Sequence, residues 1–145
     1  MGISSLMCFT SVGDALRMLD AMKTVRSEAI CIHTDGTVYI QNGDWSYKSI
    51  CDFIGTSIDE NERIIAEATQ LNGFGYMFMD FYGYDNSQPF NSVATRILAE
   101  FKGVIDDPVV GNVVLFGNPV DGNLGSVSEG LKNKITEMGF KIEQY

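Results

Sequence analysis

The sequence predicts a fold of the α+β class in one globular domain, residues 1–145, with a mixed or antiparallel sheet and helices packed on it. Two β-branched runs, 29–33 and 37–40, are separated by Asp35-Gly36, which indicates a hairpin with a tight primed turn. The segment 74–82 is apolar at both alternating sets of positions, as in a strand covered on both faces. Apolar residues at helical spacing between these runs supply the helices.

Five helices and three further strands complete the predicted order. The helices are 12–23, 47–54, 60–71 behind an Asp59 cap, a helix that Asn91 caps and that extends to Phe101, and one that Ser126 caps and that extends to Met138. The further strands are 3–9, 109–116 and an edge strand at 140–144. Predicted turns at 42–44 and at Asn72-Gly73 end the hairpin and the third helix.

Charge excludes one large class of partners. The chain has ten Lys and Arg against nineteen Asp and Glu, a formal net charge of −9. Because proteins that bind nucleic acid by displacing counterions need basic surfaces, no nucleic acid partner is expected. Between Asp44 and Asp85, eight acidic and two basic residues form the most acidic part of the chain. Such a cluster either keeps a protein soluble or steers it to a partner with a basic surface.

Residues that could carry catalysis or hold a metal are few. His33, the one histidine, follows Cys31 at a spacing that places both on one face of a strand, but no third residue is placed to orient them. The acidic residues near turns lack the alternation of a calcium loop, and the three cysteines lack zinc-site spacing. The sequence therefore predicts no catalytic residue, no metal and no cofactor.

The sequence also predicts where the chain is found. The first residues lack the basic and then apolar layout of a signal peptide, and no apolar run approaches the roughly 18 residues that a membrane helix needs. The odd number of cysteines gives no disulfide framework. We expect no membrane partner and an intracellular location, in the cytoplasm or the nucleus.

The leading interpretation is a non-enzymatic module that binds a protein with a basic surface. Aromatic residues are enriched at protein interfaces, and several flank the polar turn that follows the segment 74–82. The candidate contact residues are Asp59, Glu60, Glu62 and Glu67 for charge, Tyr82, Tyr84 and Phe90 around the turn, and Trp45 beside an earlier turn. Phe78 and Phe81 are expected in the core.

An alternative interpretation is a small-ligand or nucleotide-binding domain. The glycine-rich segment 117–126 lies between a buried strand and a capped helix, a layout in which backbone N–H groups and the helix dipole can hold phosphate. Its candidate residues are Gly117, Gly122, Gly125 and Ser126. The spacing matches neither common phosphate-loop motif, and no lysine lies inside the segment.

Two runs of residues carry a family resemblance. They are Asn91-Ser92-Val93-Ala94-Thr95-Arg96-Ile97-Leu98 and Asp107-Pro108-Val109-Val110-Gly111-Asn112-Val113-Val114-Leu115-Phe116-Gly117. Over residues 77–117 the chain resembles domain-of-unknown-function family 3846, common in phage and large DNA viruses. The 60–71 helix and Asp80-Phe81-Tyr82 depart from its pattern. The resemblance implies a small, virus-encoded intracellular protein and brings no catalytic residues. Physically, Asn91 is expected to cap a helix and Gly111 to take a special backbone conformation.

Overall fold

A computed structural model describes residues 25–55 and 65–144 and confirms the α+β class. Its strands are β1 (Val25–Ile32), β2 (Val38–Trp45), β3 (Ala66–Gln70), β4 (Tyr76–Asp80), β5 (Val113–Val120), β6 (Asn123–Gly125) and β7 (Glu143–Gln144). Its helices are α1 (Tyr47–Ile54), α2 (Ser92–Lys102) and α3 (Glu129–Glu137). The predicted strand 3–9 and helix 12–23 lie outside the described residues.

The seven strands of the described chain form one mixed sheet. The order is β3-β4-β5-β1-β2-β7, and β6 pairs with the outer part of β5. All neighbours are antiparallel except β2 and β7, which are parallel. Because β5 lies between β4 and β1, the centre of the sheet joins segments that are distant in sequence. The predicted edge strand at the C-terminal end is confirmed as the short β7.

The β1–β2 hairpin is confirmed, with a different turn from the one predicted. Only Gly36 has a positive φ, of +95°, whereas a primed turn of the Asp-Gly type requires it at both central residues. The Gly36 N–H donates to the His33 carbonyl and the His33 N–H to the Thr37 carbonyl, each at 3.0 Å. The predicted turn at 42–44 is wrong, because β2 continues through Gly43, opposite Ser27, to its end.

Apolar side chains fill both faces of the sheet. On one face, Met77 of β4 lies in a core with residues of α2 and α3. On the other face, the neighbouring Phe78 lies in a core with residues of α1, and it is fully buried. Successive residues of a strand point to opposite faces, so a strand covered on both sides is apolar throughout. The predictions for β4 and for Phe78 are confirmed.

The predicted helix 60–71 is wrong over the part that the structure describes. Residues 66–70 form β3, which pairs with β4 from Ala66 opposite Asp80 to Gln70 opposite Tyr76. Ala66 and Ala68 both contribute to the α1-side core, so the apolar residues fit a period of two as well as a helical one. Asn72-Gly73, interpreted as a helix end, instead forms the hairpin turn, with φ of +48° and +87°.

All three described helices begin behind a side-chain cap, and two of them, α1 and α2, begin where the sequence predicts. α1 begins at the predicted position behind Ser46 and ends at Gly55, and the Asn91 side chain accepts from the Ala94 N–H at the start of α2. The cap of α3 is Ser128, not Ser126. The Ser126 hydroxyl instead accepts a hydrogen bond from the Glu28 N–H of β1 at 2.9 Å.

Candidate functional site

The Cys31-His33 pair forms part of the packed sheet. Cys31 is fully buried, and burial raises the pKa of its thiol to about 12, so the thiol stays protonated at neutral pH. The His33 Nε2 atom lies 3.0 Å from the Tyr39 hydroxyl, and the His33 ring stacks on the Tyr39 ring. A buried neutral thiol is a poor nucleophile. Within residues 25–55 and 65–144, no three His, Cys, Asp or Glu side chains gather as a metal site would require.

Trp45 is not the surface anchor that its neighbouring turn suggested. Its side chain is 4% exposed, and its ring contacts the Phe116 ring edge to face at a centroid distance of 5.4 Å. The reason is that β2 extends through the supposed turn and carries Trp45 into the α1-side core. A partner cannot reach this ring while the fold is intact.

The acidic candidates divide between the described residues and the rest of the chain. Asp59, Glu60 and Glu62 lie outside the described residues. Glu67 lies on the edge strand β3, opposite Met79, and is half-buried. Partial burial raises the pKa of its carboxyl group. Glu67 is therefore a poorer contact for a basic partner than a fully solvated carboxylate.

The loop 81–90 presents three large aromatic side chains to solvent. Phe81 is 46% exposed, Tyr84 is 58% exposed and Phe90 is 53% exposed. Tyr82 is half-buried, and its ring contacts the Phe81 ring edge to face at 5.0 Å. The structure thus places the predicted Tyr84 and Phe90 on the surface, and it corrects the expectation that Phe81 lies in the core. Phe81 follows directly after the last residue of β4, where the covered part of the strand has ended.

A buried carboxylate holds the first half of the 81–90 loop. Asp80, the last residue of β4, is 5% exposed, and its Oδ1 atom accepts from the Tyr82 N–H at 3.0 Å. Its Oδ2 atom accepts from the Asn86 side chain at 2.9 Å and from Gln88 Nε2 at 3.3 Å. Gln88 Nε2 also donates to the Ile54 carbonyl of α1 at 2.9 Å. The loop is therefore tied to the sheet and to a helix by buried hydrogen bonds.

Asn91 holds the second half of the loop. It is fully buried, and its Nδ2 atom donates to the carbonyls of Gly111, at 2.9 Å, and Ile32, at 3.3 Å. The Gly111 N–H donates to the Pro89 carbonyl at 2.7 Å. Gly111 has a φ of +81°, and a Cβ there would lie 3.0 Å from the Gln88 carboxamide. Asn91 and Gly111 thus support this loop from its inner side.

Acidic side chains lie beside the exposed Tyr84 ring. The Tyr84 hydroxyl donates to the Pro108 carbonyl, which places the loop beside the segment 104–112. Partial desolvation and the nearby Asp107 carboxylate raise the pKa of the Tyr84 phenol, which therefore stays neutral. The two segments 81–90 and 104–112 contain exposed acids but no Lys or Arg. We define the acidic aromatic surface as Phe81, Tyr84, Phe90, Asp85, Asp106 and Asp107.

The glycine-rich segment is a β-hairpin and not a loop. Gly117 of β5 pairs with Gly125 of β6, and a Cβ on either residue would lie 2.0 Å from a backbone carbonyl oxygen. Asp121 and Gly122, with φ of +52° and +79°, form a primed two-residue turn. Close backbone approach and turn geometry therefore account for these glycines. The open loop before a helix N-terminus, on which the phosphate interpretation depends, is not present here.

A groove of about 540 Å³ lies between α2 and α3. Two basic residues, Arg96 and Lys134, and two acidic residues, Glu100 and Glu137, line it. The Arg96 guanidinium lies 4.7 Å from the centroid of the Phe140 ring, a cation–π contact. This balance of charge favours neither anions nor cations, so the groove does not define a ligand class.

Comparisons with other proteins give no relative. No family model, no curated protein and no solved structure matches this chain. Among the described residues, no helix has the length and apolar character needed to cross a bilayer.

Proposed function

We propose that this chain is a non-enzymatic, intracellular interaction module that binds a protein with a basic surface through the acidic aromatic surface. The exposure of three aromatic rings on one anchored loop carries the proposal. Tyrosine and other aromatic side chains supply much of the binding energy at protein interfaces, because each buries a large area with few rotatable bonds. The same rings are costly to leave in water without a partner.

The support beneath the loop favours tight binding. Asp80, Gln88 and Asn91 hold the loop with buried hydrogen bonds, so its backbone is already ordered before a partner arrives. Ordering a loop on binding costs free energy, and a loop that is fixed in advance avoids this cost. The buried amides and the carboxylate therefore serve recognition indirectly, by positioning rings that they do not themselves present.

Charge sets the kind of partner. Asp107 lies near Tyr84, Asp85 and Asp106 are the sequence neighbours of Tyr84 and Asp107, and all three carboxylates are exposed. The whole chain carries a net charge of −9. Complementary charges raise association rates and select against partners of like charge. A protein patch rich in Lys or Arg, with an apolar centre, fits this surface. The resemblance noted from the sequence of residues 77–117 leads us to propose further that the protein is virus-encoded and acts on a host or viral protein.

Affinity purification from the cells in which the protein naturally occurs tests the surface. The baits are the wild-type chain, a Phe81→Ala/Tyr84→Ala/Phe90→Ala variant, and a Val120→Ala control, which truncates an exposed apolar residue of the β5–β6 hairpin. We expect a protein retained by the wild type and the control to be lost from the triple variant. Equal retention by all three baits would show that this surface is not the binding site.

Surface plasmon resonance with the purified partner tests the charge argument. Exposed charges interact over a Debye length of about 8 Å at physiological ionic strength, and added salt shortens this distance. Association is therefore expected to slow as salt rises, and to slow at low salt when Asp85, Asp106 and Asp107 are changed to Asn. An association rate that responds to neither change would contradict a basic partner while leaving the aromatic contact intact.

A further inference from the structure

We propose that Asn72, in the turn between β3 and β4, is a site of spontaneous deamidation in the folded protein. Asn72 and Gly73 are both exposed at the tip of this hairpin. The chain contains one other Asn-Gly pair, Asn42-Gly43, within β2. The inference concerns a covalent modification and does not depend on the proposed binding function.

The reaction needs only these two residues and water. The backbone nitrogen of Gly73 forms a bond to the side-chain carbonyl carbon of Asn72, while the bond from that carbon to the amide nitrogen breaks. The amide nitrogen leaves as ammonia and takes the proton that the Gly73 nitrogen loses. Water then opens the cyclic imide by breaking one of its two bonds to the Gly73 nitrogen. The products are aspartate, or isoaspartate with the chain continued through the side chain.

The turn leaves the attacking nitrogen accessible. In the described part of the chain the Gly73 N–H donates no hydrogen bond, and the turn is closed by the Phe74 N–H, which donates to the Leu71 carbonyl at 2.9 Å. A Cβ at Gly73 would meet no atom within 4 Å, so space around the peptide is open. Glycine also offers no side chain to block the attack. The remaining requirement is a local opening that rotates Asn72 into the reactive conformation.

The second Asn-Gly pair, Asn42-Gly43, is protected from deamidation by its place in strand β2. His33 and Thr37 begin the β1–β2 ladder with a hydrogen bond, and in an antiparallel ladder hydrogen-bonded and non-hydrogen-bonded pairs alternate. Counting along the register makes Ser27 and Gly43 a hydrogen-bonded pair. The Gly43 N–H therefore donates a hydrogen bond to Ser27 in the ladder, and its nitrogen is not free to attack the Asn42 side chain. Attack on Asn42 requires the β1–β2 hairpin, paired over eight residues of each strand, to open, which is rarer than the opening of a turn.

Deamidation at Asn72 is also expected to disturb a contact between this turn and the β5–β6 hairpin. The Gly73 carbonyl accepts a hydrogen bond from Asn118 Nδ2 of β5 at 2.9 Å. Isoaspartate adds one atom to the backbone at the turn and a negative charge to the chain. The turn then no longer fits the Phe74 to Leu71 hydrogen bond or the contact with Asn118. We expect the modified hairpin tip to open more readily than the original.

Peptide mapping by mass spectrometry tests the proposal on the whole folded chain, incubated in buffer and sampled over time. Conversion at Asn72 to aspartate and isoaspartate is expected to exceed conversion at Asn42 by more than about tenfold, the ratio that a difference of about 1.4 kcal/mol in opening free energy produces. In a parallel sample unfolded in urea, the two pairs are expected to convert at similar rates. An Asn72→Gln variant, whose longer side chain closes the ring less readily, should lose the signal at this position. Equal conversion at the two sites in the folded chain, or an intact Asn72 after both sites have converted in urea, would overturn the proposal.

Discussion

The 81–90 loop and the β5–β6 hairpin both follow a buried strand and are both rich in turn residues, yet different forces fix their residue types. In the hairpin, Gly117 and Gly125 are required by backbone carbonyls that would lie 2.0 Å from any Cβ. In the loop, buried polar side chains such as Asp80 and Asn91 hold the backbone from below. The hairpin leaves no open cradle of N–H groups, whereas the loop leaves aromatic rings in solvent.

A segment rich in glycine or turn residues can therefore have its composition for either of two structural reasons. A glycine within a strand often marks a close approach of another group to the backbone. For Gly117 and Gly125 that group is the backbone of the facing strand of the hairpin. Exposed aromatic residues on a loop that buried hydrogen bonds hold in place form an apolar patch in contact with water, and such patches mark interaction sites. Of the two segments, only the loop exposes large aromatic side chains.

The largest expected effect distinguishes a glycine required by packing from one that is merely tolerated. Gly117→Ala should lower the free energy of unfolding by about 3 kcal/mol, because the methyl group must displace the Ser126 carbonyl and so separate β5 from β6. Urea denaturation measures the change. Gly43→Ala is the matched control, since a Cβ there meets no atom within 4 Å and the change should stay below about 1 kcal/mol. Equal costs for the two variants would contradict close approach as the reason for Gly117.

A smaller effect is expected for the support of the loop. Asn91→Ala should cost about 2 to 3 kcal/mol, because it removes the α2 cap and leaves the carbonyls of Gly111 and Ile32 without their donor. Asn91→Asp keeps the capping oxygen and loses the donor, so it separates the two contributions. Thermal and urea unfolding of the three proteins measure both. If Asn91→Ala were neutral, the loop would not depend on this residue.

Local patterns predicted the elements that depend on local chemistry. The Asn91 cap, the helix 47–54 with its end at Gly55 and the double-sided apolar pattern of β4 all depend on residues near one another in sequence. The predicted helix 60–71 is based on Ile64, Ile65, Ala68 and Leu71 at helical spacing, whereas Ala66 and Ala68 also fit the period of two of a strand. Asn-Gly serves both as a helix end and as a hairpin turn. Only pairing with β4 decides between the two.

The support of the candidate site could not be predicted from the sequence, because it joins residues far apart in the chain. Gln88 contacts the Ile54 carbonyl, and the Asn112 side chain accepts from the Thr34 N–H at 3.0 Å. The exposure of Tyr84 and Phe90 was foreseen from the polar residues around them. The burial of Trp45 was not, since Asn42-Gly43-Asp44 has the composition of a turn and the conformation of a strand.

The smallest expected effect is the change in stability when the loop loses a ring. Phe90→Ala should change the free energy of unfolding by less than about 1 kcal/mol, because half of the side chain is already in solvent and no neighbouring group depends on it as a hydrogen-bond partner. Phe78→Ala is the same substitution in the buried centre of the sheet and should cost about 3 to 5 kcal/mol. Urea denaturation of the two variants gives both values. A large cost at Phe90 would mean that the ring packs as part of the core, and the acidic aromatic surface would then lose one of its three contacts.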